Sequence, residues 1–211
     1  MKNLKKTFLV VLGLSLIVSM TFFGCSKKEA TDAASVAAAS DTFDLSVCFA
    51  SEPQTIDPAL NSAVDGAVML QHFFEGLMKW ADGGKPATDK GDMNYAQLVN
   101  GQAASYEKTV NADGTVTYTF KIRPDAKWSD GKAVTADDFV FAWQRLASPA
   151  TAADYCYMFE VVDGYAEIWE TDDEENFVNP DAKLNCKAVD EKTIEVTLAN
   201  AVSYWNELLA F

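Results

Sequence analysis

Between Tyr106 and Pro149 the hydrophobic period changes once, and this change restricts the fold more than any other feature of the chain. Val116, Tyr118, Phe120 and Ile122 alternate with polar residues, and Asn111-Ala112-Asp113-Gly114 separates them from the run Tyr106 to Val110. Alternation puts every second side chain on one face, and the turn formers between the runs predict a hairpin over 106–123. Downstream, apolar residues recur at helical spacing instead. Thr135 with Asp138 three residues later is a short-armed capping box, so it marks a helix start. Phe139, Ala142, Trp143 and Leu146 form the expected inward stripe. Pro149 disfavours helical backbone at Ser148, which sets the expected helix end near Ala147.

The flanking segments extend this pattern. Asp190-Glu191-Lys192 links Lys187 to Val189 with Thr193 to Leu198, where Ile194, Val196 and Leu198 should face inward in a second hairpin. Ser203 is the expected cap of one further helix, and the run Tyr204 to Phe211 is still apolar where the sequence stops, as if truncated. On the N-terminal side, Phe43, Leu45, Val47 and Phe49 alternate with Asp44, Ser46 and Cys48, which predicts a strand ended by Ser51-Glu52-Pro53. Ala67 to Leu70 with Phe73 and Phe74 predict a helix apolar on most sides, hence buried, with Gly76 as its C-terminal cap. Residues 82–94 are polar and rich in turn formers, so a loop is expected there.

Residues 1–42 have another character. Lys2, Lys5 and Lys6 precede an uncharged run from Thr7 to Ser26, the arrangement of an export signal. Gly13, Ser15, Ser19 and Thr21 interrupt the run, so its strongly apolar part falls short of the roughly 20 residues a bilayer span needs. Residues 29–42 are almost all Ala, Ser, Thr and Asp, too polar to pack, which predicts a flexible tether over 25–42. Removing residues 1–24 takes away three lysines and no acid, so the formal charge moves from −14 to −17. Such a charge disfavours nucleic-acid binding.

Candidates for chemistry are few. His72 is the only histidine and has no Cys or second His beside it, so packing or exposure is expected and not metal binding. Cys48, Cys156 and Cys186 lack metal-ligand spacing, and either one disulfide with one thiol or three buried thiols would suit them. Asp172-Asp173-Glu174-Glu175 reads as a solvated run. Neither a nucleophile with a base nor converging carboxylates can be identified, so no catalytic residue is assigned and no enzyme is expected.

Two resemblances add to this reading. Thr21-Phe22-Phe23-Gly24-Cys25-Ser26 resembles a bacterial lipoprotein box, which implies diacylglycerol on Cys25; an ordinary signal peptide cleaved nearby is the alternative. Two acyl chains would satisfy the two-signal requirement for stable attachment to a membrane. Separately, Ser51-Glu52-Pro53-Gln54-Thr55-Ile56-Asp57-Pro58, Phe74-Glu75-Gly76-Leu77, the block from Tyr118 to Pro149 and the terminal hairpin resemble the oligopeptide and dipeptide branch of ABC-importer solute-binding proteins. The resemblance covers most of residues 45–211. It implies an α/β fold of the periplasmic-binding-protein type II kind, with mixed sheets and packed helices. Residues 43–78 would open the first lobe, residues 79–211 would form a small subdomain leading back to it, and the second lobe would lie outside this chain.

The same resemblance implies a monomer that binds an oligopeptide, hands it to an ABC permease complex and needs no cofactor or metal. It places the protein at the cell surface or periplasmic face of the plasma membrane, anchored through Cys25. By motif position, Ser62, Ala63 and Val64 match the segment running beside the peptide, where backbone groups can offer ladder-type hydrogen bonds to any sequence; a plain surface loop is the alternative. Tyr155 matches a tyrosine lining the cleft, a role that suits a ring that packs and a hydroxyl that bonds main chain, with Tyr157 as its competitor. Trp128, Asp130 and Gly131 are read as scaffold. Peptide sensing or adhesion without transport, or binding of a dipeptide, a nickel complex or another small solute, are the competing functions.

Overall fold

Val116 to Ile122 pair with strands on both sides, and their alternation becomes the wall of the core. The computed structural model describes residues 46–83 and 96–211. The signal segment 1–24, Cys25, the tether and nearly all of the expected loop 82–94 lie outside the described residues. The chain divides into two compact units between Cys48 and Phe49, and the second, Phe49–Phe211, holds every described helix and strand. In chain order these are α1 (Val64–Phe73), β1 (Met78–Asp82), β2 (Ala96–Asn100), β3 (Ala103–Val110), β4 (Val116–Ile122), α2 (Ala136–Ala147), α3 (Tyr165–Ile168), β5 (Cys186–Asp190), β6 (Thr193–Leu198) and α4 (Trp205–Leu208). Two 3-10 turns, Pro149–Thr151 and Cys156–Phe159, lie between α2 and α3.

Both expected hairpins form. β3 pairs antiparallel with β4 and β5 with β6, and β4 lies against β6, giving the order β3-β4-β6-β5. β1 and β2 make a separate antiparallel pair. On the central strands, Val116, Tyr118, Phe120 and Ile122 are buried with Ile194, Val196 and Leu198. The opposite face is polar, with the Thr117 and Thr197 hydroxyls 3.2 Å apart. An antiparallel sheet with one dry face and one wet face produces this alternation.

α2 packs over the dry face. Asp138 closes its first turn by accepting the Thr135 backbone N–H at 2.7 Å and the Thr135 hydroxyl at 3.0 Å, so the capping reading holds. The buried stripe is Ala136, Trp143 and Ala147 with Phe139 and Leu146 packed beside it, while Ala142 is exposed. The expected stripe therefore erred at Ala142. That small residue lies one position off the line 136–139–143–147, so its inclusion widened the stripe beyond what the sheet covers.

Trp205 closes the core. It is 1% exposed, and its ring centroid lies 6.2 Å from Trp143, 6.2 Å from Phe159 and 6.4 Å from Tyr118, joining helix, 3-10 turn and sheet. Its helix starts at Trp205 with Tyr204 in the capping position, and Ser203 does not cap it.

The N-terminal expectations need three corrections. Residues 46–49 are exposed and carry no strand. α1 is mostly exposed, with Gly66 its only buried residue, so the helix read as buried is not. Its C-terminal cap is Phe74 in extended conformation, and Gly76 does other work: a Cβ there would sit 2.3 Å from the Leu209 carbonyl oxygen. Gly76 permits close passage of two backbones where α4 meets β1. There the Met78 N–H donates to the Leu209 carbonyl at 3.3 Å.

Candidate ligand-binding segment

Residues 51–63 contain no helix or strand, yet hydrogen bonds fix their path. Asp57 is the centre of that path. Its N–H donates to Thr55 Oγ1 at 3.0 Å, its Oδ1 accepts the Ala59 N–H at 3.0 Å, and its carbonyl accepts the Leu60 and Asn61 N–H groups at 3.1 and 3.0 Å. Carboxylates that bond their own backbone two residues on are turn formers, and Pro58 has no N–H to lose. Arg145, in the last turn of α2, donates Nη1 to Oδ1 at 2.8 Å and Nη2 to Oδ2 at 2.6 Å. This fork holds the Asp57 carboxyl below its ordinary range, with the Arg145 hydrogen bond as the largest cause, and raises Arg145 in turn.

The turn delivers the chain to Ser62 and Ala63. Asn61 Nδ2 donates to the Ala63 carbonyl at 3.1 Å, and Ala63 is extended at φ −106° and ψ 147° immediately before α1. Val64 is the first residue of α1, so the extended backbone ends at Ala63. Ser62, Ala63 and Val64 are all exposed, Val64 to 78%. The Ala63 carbonyl also accepts the Ala67 N–H at 3.0 Å, so only the N–H groups up to Gly66 lack an intrahelical acceptor at this end of α1. The Ser51 hydroxyl bonds the Asp65 carboxylate and holds the helix start from the other side. Gly66 permits the tight approach, because a Cβ there would fall 2.0 Å from Asn61 Oδ1.

Tyr155 lies at the start of the second 3-10 turn and is half-buried. Its ring meets Phe211 edge-on at 5.5 Å and Tyr157 at 6.2 Å. Tyr157 is exposed. Among the described residues, no hydrogen bond or ring contact joins Tyr155 to residues 62–64. Both segments trace back to the end of α2, one through Arg145 and the other through the chain that follows Ala147.

Other conspicuous residues support the frame. Glu75 accepts Lys79 at 2.6 Å, Gln102 at 2.7 Å and Arg123 at 3.0 Å, tying the end of α1 to the strands. Trp128 Nε1 donates to Asp138 at 3.2 Å, and its backbone N–H closes the Asp130-Gly131 turn on the Lys132 carbonyl at 2.8 Å. His72 Nδ1 lies 2.7 Å from the Val68 carbonyl on its own helix, and among the described residues no cluster could hold a metal ion. The Asp172 carboxylate accepts the Glu174 and Asn176 N–H groups at 2.9 Å each in an exposed loop. Cys156 and Cys186 are half-buried and not joined by a disulfide, whereas Cys48 is exposed, so the alternative of three buried thiols does not hold. Burial pushes the Cys186 thiol up to about 11.

The residues that sequence reading missed are the partners: Arg145 for Asp57, and Asn61 and Gly66 around Ala63. The motif drew attention to Asp57, but its partner lies 88 positions away and no local pattern announces it.

The family model for bacterial extracellular solute-binding proteins, family 5 Middle, matches residues 97–211. The chain belongs to this family. The periplasmic oligopeptide-binding protein OppA of Escherichia coli is 37% identical over 159 residues, covering 75% of this chain and 26% of that protein. The oligopeptide-binding protein OppA of Bacillus subtilis is 35% identical over 173 residues, covering 79% and 27%. Among solved structures, Haemophilus influenzae OppA in complex with RPPGFSPFR has a TM-score of 0.58 at 35% identity, covering 75% of this chain and 27% of that one. These similarities give the solute-binding chain the periplasmic-binding-protein type II fold expected from its motifs. The chain spans about a quarter of the length of these relatives. The matched relatives are binding proteins, not enzymes.

Proposed function

We propose that the complete protein is a non-enzymatic receptor that captures oligopeptides outside the cytoplasm and passes them to an ABC importer. The observation that carries this reading is the exposed segment from Ser62 to Val64, set at a fixed position by the Asp57 turn in a chain of this family. Backbone donors and acceptors recognise main chain of any sequence, which suits a general peptide receptor. Tyr155 contributes an aromatic wall and a hydroxyl for peptide main chain. Residues 43–78 open one lobe and residues 79–211 form the adjoining subdomain. The mature protein is a monomer held at the outer face of the plasma membrane by lipid on Cys25.

The test is amide hydrogen exchange on the complete protein with and without a random pentapeptide mixture. Slower exchange at Ser62 to Val64 on binding is the expected result; binding with unchanged exchange there removes the segment from the site. Cys25→Ser is expected to release the protein from the membrane fraction, and equal retention with equal lipid labelling contradicts the anchor.

A further inference from the structure

The stretch that presents Ser62 and Ala63 lacks the support of a sheet or helix, so its geometry depends on a few side chains. Asp57 concentrates most of that support: one carboxylate organises the turn through Ala59 and takes both arms of the Arg145 guanidinium, at 2.8 and 2.6 Å. The carbonyl of the same residue holds the amides of Leu60 and Asn61. Arg145 itself stands on a fixed platform. Its helix is seated by buried Trp143 and Ala147, and the preceding residue, Gln144, exchanges hydrogen bonds of 2.9 and 3.0 Å with the Leu184 carbonyl and N–H.

We infer that Arg145 is a positioning residue for ligand capture, whose two-armed bond to Asp57 sets where and in which direction Ser62 to Val64 run. The inference rests on the peptide-binding role proposed for those three residues. Arg145 touches no ligand in this scheme; it transmits the rigidity of the helix-on-sheet core to a loop that has little of its own. The fork matters more than the charge. Two parallel N–H···O bonds restrain the carboxylate plane, whereas a lysine ammonium supplies one charge with no fixed direction.

The experiment compares Arg145→Lys and Asp57→Asn in the complete protein, with Lys187→Ala as a control that breaks the exposed pair of Lys187 and Glu195 (2.6 Å) elsewhere. Exchange at the Leu60 and Asn61 amides and affinity for the random pentapeptide mixture are both measured. Both variants are expected to exchange faster at those amides and to bind about tenfold more weakly, the scale of one or two hydrogen bonds lost. The control is expected to match the parent in both. Parental exchange at Leu60 and Asn61 in both variants overturns the positioning role whatever the ligand contacts are. Faster exchange with parental affinity overturns it differently, by removing Ser62 to Val64 from the site and so showing the proposed binding segment itself to be wrong. Should Arg145→Lys fail to fold, Asp57→Asn decides alone, since it keeps the shape of the side chain and the Oδ1 acceptor.

Discussion

The sheet with α2 and the segment around α1 are both rich in apolar residues, yet they use them in opposite ways. On β4 and β6 every second residue is buried, and Trp205, Trp143 and Phe159 fill the space under the helix. On α1, Val64, Val68, Phe73 and the adjoining Phe74 remain exposed, Phe73 to 56%. The difference shows that hydrophobicity names what can be buried, while only a partner surface decides what is. The hairpins and α2 supply each other's partner within 100 residues of chain. α1 has no such partner among the described residues, and its attachment runs through polar clamps at Asp57, Ser51 and Glu75.

Trp205→Ala is expected to destabilise the protein by about 3 to 5 kcal/mol, as for other large aromatic truncations in cores, measured by denaturant unfolding. A cost below about 1 kcal/mol would show that the aromatic cluster is not what closes this core. Asp138→Ala removes the acceptor at the start of α2 and should cost about 1 kcal/mol, with Thr135 left as the remaining cap. Tyr155→Phe should leave stability unchanged and weaken peptide binding in the complete protein by about 1 kcal/mol, read by calorimetry; unchanged affinity makes it a structural tyrosine.

The smallest effect belongs to the exposed side of the comparison. Phe73→Ser in the 211-residue chain should stay within about 0.5 kcal/mol of the parent. A larger cost in the complete protein than in this chain would show that further chain covers α1, which would sharpen the contrast.

Acid gives an independent probe of the clamp. Asp57 has its carboxyl lowered in the folded state, so its contribution is full above its ordinary value of 3.8 and is lost as pH falls through the lower folded value. The pair is partly solvent-exposed, which keeps the stabilisation modest. Asp57→Asn should therefore flatten the acid limb of the melting-temperature profile below about pH 4, while leaving its slope above pH 5 as in the parent.

What could be read from the sequence follows the same division. Period-2 alternation and turn formers specified both hairpins, and Thr135, Asp138 and Pro149 bounded α2, because those signals act between near neighbours. The burial of α1, the strand at 46–49 and the role of Gly76 were misread, since each depends on what lies opposite in space. Ala142 was misplaced because a small residue carries little directional signal. The candidate site divides likewise: the motif pointed to Ser62, Ala63, Val64 and Tyr155, but the bond from Arg145 to Asp57 joins residues far apart in sequence and became visible only with the fold.

The most direct test of peptide capture is native mass spectrometry of the complete protein, purified without denaturation from its own cells, with the released ligand fragmented and identified. A family of peptides of several lengths and sequences in one-to-one complexes is expected, because the backbone bonding proposed for Ser62 to Val64 would be indifferent to side chains. A single non-peptide solute bound in their place would contradict it.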